Sequence, residues 1–91
     1  MSTGNTLDLP DEISIANIGE WKEKFVEFVA DTGPLVLNAE HLSRVDTSAL
    51  QLMLALVKKA EAENKQLSWD NPSAALKKTA VQLGLDQALG L

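Results

Sequence analysis

Residues 34–57 read PLVLNAEHLSRVDTSALQLMLALV. Leu35-Val36-Leu37 is a short apolar run without polar alternation, the pattern of a strand covered on both faces. Asn38 to Arg44 is polar and turn-like, and Val45-Asp46 leads into a helix expected over Ser48–Asn64. At about 100° per residue, Leu50, Met53, Leu54 and Val57 form one stripe on that helix, its natural core face. Leu52 and Leu56 fall nearly opposite. Either a neighbouring helix covers them or they belong to an exposed apolar patch that docks another protein; their solvent exposure decides.

Working outward, Thr6-Leu7-Asp8-Leu9 and Glu12-Ile13-Ser14-Ile15 alternate as two short strands separated by Pro10-Asp11. The period then changes. Ile18, Trp21, Phe25, Phe28 and Val29 recur at helical spacing, with Asn17 as the expected N-cap and Thr32-Gly33-Pro34 as the stop. Beyond the central helix, Gln66-Leu67-Ser68-Trp69 reads as a further strand and Asp70-Asn71-Pro72-Ser73 as a turn ending in an N-cap. A third helix runs from Ala74 to Gly84, carrying Leu76, Ala80, Val81 and Leu83. Leu85 to Leu91 adds a short final turn of helix that Asp86 is placed to cap. Trp21 is expected in the core and Trp69 at partial exposure. The order predicts an α/β fold with a mixed central sheet of about four strands and three to four helices mostly on one face. It forms one domain over residues 1–91, with 1–5 as a flexible tail.

The 91 residues suffice for one core. A 45% apolar fraction is ordinary for a globular chain, and the net charge of −5 argues against a nucleic-acid surface, which needs clustered cations. The absence of cysteine excludes disulfides, thiolate catalysis and thiolate zinc sites. No apolar run approaches the roughly 20 residues that span a bilayer, and the polar, acidic start MSTGNTLDLPDE has no signal-peptide character. These features predict a cytoplasmic protein without direct membrane insertion.

Little of the sequence suits catalysis. His41 is a lone imidazole in a polar segment, Thr47 and Ser48 have Asp46 beside them but no base at a diagnostic spacing, and the glycines are dispersed rather than gathered into a phosphate loop. A non-enzyme with no cofactor and no metal is expected. The Asp46-Thr47-Ser48 stretch has two compatible readings. Ser48-x-x-Gln51 is a capping-box pattern before an apolar run, and Asp or Thr at a helix start also satisfies free N–H groups. A hydroxyl at a helix N-terminus also lies where backbone donors and the macrodipole favour an anion, so phosphate on Thr47 or Ser48 would be accommodated locally while Asp46 opposes it. Such a charge change could act as a switch.

The order of elements, the segment PLVLNAEHLSRVDTSALQLMLALVKKAEAENKQLSW and the later NPSAALKKTAVQLGL together resemble the STAS domain, the fold of bacterial anti-sigma factor antagonists, from about Thr6 to Leu89. The most specific part is Val45-Asp46-Thr47 at the start of the long helix. The resemblance implies a protein partner: an anti-sigma factor-type kinase, another signalling protein such as a chemotaxis or two-component product, or a transporter ATPase. In partner-switching members the hydroxyl after the Asp is phosphorylated, which matches Thr47, with Ser48 as second choice. Ala49 stands where many members have Gly. Leu42-Ser43-Arg44-Val45-Asp46-Thr47 also resembles the STAS subunit of Mla-type phospholipid transport complexes, where the Thr serves assembly with the ATPase. Trp69-x-x-Pro72-Ser73 and Leu83-Gly84-Leu85 resemble the signalling group. The implied partner-binding residues are Asp46, Thr47, Ser48, Leu52 and Leu56, and self-association is left open.

Overall fold

A computed structural model describes residues 5–30 and 34–91. The chain enters through β1 (Asn5–Asp8) and resumes as β2 (Glu12–Ile13) after Pro10. Proline has no N–H for the ladder, so the break falls there. α1 (Ile18–Ala30) follows, burying Trp21, Phe25, Phe28 and Val29. β3 (Leu35–Asn38), β4 (Arg44–Val45) and α2 (Thr47–Ala62) come next. The chain closes with β5 (Leu67–Asp70), α3 (Ala74–Gln82) and α4 (Asp86–Leu89).

The strands form an α/β arrangement of three plus two: β1-β3-β5 in one sheet and β2-β4 in the other. Where a mixed sheet of about four strands is expected, every described ladder is parallel. Parallel neighbours need a crossover, and α1 and α2 supply it. The two sheets continue one another. The Leu9 N–H donates to the Asn38 carbonyl at 2.9 Å, and the Ser43 and Arg44 N–H groups both donate to the Asp11 carbonyl, carrying the pairing past the break. With strand order 1-3-5 and right-handed crossovers, α1 and α2 fall on the same face. There α1 packs on α2, α4 packs on α2, and α3 lies against β4 and α4.

Register decides which side of the sheet is core. Leu7, Leu37 and Trp69 are aligned across the three strands, as are Leu35 and Leu67. Leu35 and Leu37 are fully buried, in the same core as Leu50 and Met53 of α2, Ile13 and Leu76. Each such side chain stabilises the fold by about 2 kcal/mol through burial. The opposite face carries Thr6, Val36 and Ser68 in one row and Asp8, Asn38 and Asp70 in the next. Val36 and Asn38 are half-buried and the other four are exposed, so β3 is covered fully on one face only, not on both.

Several local expectations shift. Asn17 stands at the start of α1, where its carbonyl accepts from the Trp21 N–H at 3.3 Å, but its side chain turns back instead of capping. Its Oδ1 accepts from the Ser14 N–H and its Nδ2 donates to the Glu12 carbonyl. Thr32 and Gly33 of the expected helix stop lie outside the described residues, as do residues 1–4 of the expected tail; Asn5 already belongs to β1. α2 ends at Ala62 with Glu63 as its C-cap, short of the expected Asn64, whose φ of 59° lets the Lys65 N–H reach back to the Ala60 carbonyl at 2.8 Å. Ser73 caps α3 through the Leu76 N–H at 3.1 Å, whereas Asp86 makes no side-chain cap bond on α4. Trp21 is buried as expected, edge-on to Phe25 with ring centroids 6.1 Å apart. Val81 and Leu83 are exposed rather than core.

Candidate functional site

The parallel pairing of β2 with β4 brings the turn after β2 alongside the N-terminus of α2. Asp46 joins them. Its backbone is extended (φ −121°, ψ −177°), so it is the N-cap, two residues before the Ser48 position that the capping-box pattern suggests. One carboxylate oxygen, Oδ1, accepts from the Ala49 N–H at 3.0 Å. The other, Oδ2, accepts from the Ile15 N–H at 2.9 Å, across 31 positions of sequence. The expected Ser48-x-x-Gln51 capping box is displaced because Asp46 already holds the N–H of the third helical residue and is anchored on both sides.

Thr47 therefore begins α2 without a capping duty, and its side chain is exposed. Ser48 is half-buried. The first N–H groups of a helix have no intrahelical acceptor, and together with the macrodipole they favour negative charge there. The half-buried Asp46 carboxylate supplies one such charge already. A phosphate on Thr47 would place a second, larger charge beside it.

The turn held by Asp46 was not singled out by sequence reasoning, which assigned Ile15 to strand alternation. It is tied at nearly every polar group. Ser14 Oγ donates to Glu12 Oε2 at 2.8 Å and accepts from the Ala16 N–H at 3.2 Å, and the Asn17 N–H donates to the Ser14 carbonyl at 3.0 Å. The result presents Ile15 outward, 72% exposed, near Thr47. The Ser14-x-x-Asn17 pair is the local signal of this turn; the Asp46 bond has none.

The two leucines on α2 divide. Leu56 is only 4% exposed and belongs to the core, so its assignment to an exposed docking patch is corrected. α1 covers that side of α2 and shares a groove with it, in which Phe25 and Val29 meet Leu56. Leu52 is half-buried at the groove's wall. Of the five expected partner-binding residues, Asp46, Thr47 and Ser48 stand together at the head of α2 and Leu52 lies farther along it. Trp69 is half-buried, and its Nε1 donates to the Leu89 carbonyl at 2.7 Å, which employs the indole in tying down α4. His41 is exposed, 4.0 Å from Glu40. Among the described residues no group of three or more His, Asp or Glu converges as a metal site, and no helix is long and apolar enough to cross a membrane.

A parallel sheet backed by helices on one side, with an Asp-capped long helix starting beside the β2–α1 turn, defines a small α/β domain of a recurrent type. The family model described as "Mlab, STAS domain" matches residues 2–91, and the chain belongs to the STAS domain family, whose members are protein-interaction modules. The fold is shared with the "sulfate transporter family protein from Wolinella succinogenes": TM-score 0.75 at 13% identity, over 97% of this chain and 72% of that one. A comparison with curated proteins gives no match.

Proposed function

We propose that this chain is a cytoplasmic, non-enzymatic interaction module that binds another protein through the head of α2, and that phosphorylation of Thr47 by a partner kinase releases it, as in anti-sigma factor antagonists. The observation that carries this reading is the division of labour between neighbours: Asp46 caps the helix, which leaves the exposed Thr47 hydroxyl free of structural work. Phosphate adds a charge of about −1.5 to −2 next to an existing carboxylate and opposes binding by repulsion and desolvation. Ser48, half-buried, is the second-choice acceptor. Because Thr47 contributes no cap, Thr47→Asp leaves the fold intact and weakens partner affinity about tenfold or more. Thr47→Ala abolishes phosphate uptake. Isothermal titration with the partner recovered from the native cell tests this, and an unchanged affinity of the Asp variant rejects the switch.

A second reading, as the STAS subunit of an Mla-type lipid transport complex bound to its ATPase, is favoured by the description of the matching family model. In that case Thr47 is an unmodified contact. Co-purification followed by mass spectrometry separates the two, because it reports both the partner and any phosphate on Thr47.

A further inference from the structure

α1 and α2 leave an apolar groove of about 300 Å³ between them. Its floor is Phe25, Val29 and Leu56, all buried; its walls are Val26, 60% exposed, and Leu52 with the exposed Ala55. Among the described residues, the only charged ones lining it are Lys22 and Lys59. Each helix carries the chain back from one parallel strand to the next, so α1 and α2 run in the same direction. Lys22 begins the α1 wall, which ends at Val29, and Lys59 ends the α2 wall, which begins at Leu52. The two ammonium groups thus belong to opposite ends of an apolar trough about 10 Å long, at 1.5 Å of rise per residue.

The geometry points to this groove as a docking site for an amphipathic helix of a protein partner, one that carries two acidic residues seven apart with apolar residues at the third and fourth positions between them. Positions i, i+3, i+4 and i+7 lie on one helix face, the two apolar side chains meet the floor, and the acidic pair spans about 10 Å to the lysines. The open, trough-like shape between two helices suits a helix laid along it. Lys22 has no carboxylate within ion-pair distance among the described residues. Lys59 pairs with Glu63 at 3.0 Å, but Lys65 holds the same carboxyl at 3.2 Å. Glu63, kept below its usual carboxylate range first by Lys59 and then by Lys65, therefore retains a cation when Lys59 turns to a partner. Exposed pairs of this kind contribute little to stability, so the exchange is cheap. Glu23 and Glu27 stand on the far side of Val26 and repel an acidic helix that strays onto the outer face of α1, which confines it to the trough.

Ser48, Leu52, Ala55 and Lys59 follow one another at helical spacing along a single edge of α2, of which the trough takes the part from Leu52 onward. The inference rests on the reading of the chain as an interaction module, but not on modification of Thr47.

The probes are two synthetic helices of ~14 residues, constrained by a side-chain lactam on the solvent face because unconstrained helices of that length are marginal. They are identical except that the two flanking positions are both Glu in one and both Lys in the other. Titrated into the full chain by amide-resolved NMR, the Glu helix gives saturable shifts confined to residues 22–29 and 52–59 and binds about tenfold more tightly than the Lys helix. Lys22→Glu combined with Lys59→Glu inverts that preference, while the same exchange at the exposed Lys77 and Lys78 of α3, outside the groove, leaves it unchanged. Equal binding of both helices, shifts elsewhere, or no shift of either helix up to about 1 mM overturns the proposal. So does dodecanoate shifting the same residues where the Glu helix does not, which assigns the trough to a small amphiphile. A groove that fails this test leaves the Thr47 titration standing, and a failed Thr47 titration leaves the groove standing.

Discussion

Asp46 does two jobs with one carboxylate, capping α2 and holding the turn that projects Ile15. Losing a cap costs about 1 kcal/mol and losing the exposed hydrogen bond from the Ile15 N–H about 0.5 more, so Asp46→Ala lowers stability by about 1.5 kcal/mol. Asp46→Asn, which keeps one acceptor oxygen, loses less than half of that. Urea unfolding measures both, and faster amide exchange at Ile15 and Ala49 in the Ala variant shows that both bonds share the residue. At this scale the sequence places a cap at the head of α2 but leaves it open among Asp46, Thr47 and Ser48. The Ser48-x-x-Gln51 pattern is local and competes well on spacing alone. What settles the cap on Asp46 is a donor 31 residues away, and no local pattern carries such a bond. Asn17, by contrast, is misassigned: its amide serves the β2–α1 turn rather than the helix that follows it.

The helices α1 and α2 are legible because burial imposes the period that their residues display, and β3 is legible as a short apolar run. β4 is not. Arg44–Val45 is too short to show a period and is held as a strand by pairing with β2, itself only Glu12–Ile13. A helical wheel of α2 places Leu52 and Leu56 together on the far side of the core stripe, yet α1 closes over one of them. The apolar arc of α2 is wider than a single stripe because the helix meets the sheet below and α1 at its side. Leu56→Ala therefore costs about 3 kcal/mol through lost burial and a residual cavity, whereas Leu52→Ala costs about 1 kcal/mol. Chemical denaturation of the two variants compares them directly, and equal losses would mean that the helix is rotated from its described position.

Across the whole molecule, Trp69 links the last strand to the last helix. Trp69→Phe keeps most of the buried ring and removes the bond to the Leu89 carbonyl, so stability falls by about 1–2 kcal/mol. Amide exchange accelerates most in residues 86–91, which a uniform loosening of the core would not produce. The α/β class was readable from the order of elements, but the all-parallel pairing was not, since strand direction follows from which crossovers the helices complete. The strand order β1-β3-β5 also repeats the order of synthesis. As the chain leaves the ribosome, β1 and β3 can pair around α1 before β5 has been made, and each later strand adds at the free edge without parting those already in place. Nascent chains of increasing length should thus acquire protection in blocks, one βαβ unit at a time, with the Thr47 end of α2 anchored to the Ile15 turn before the C-terminal helices exist to cover the remaining core.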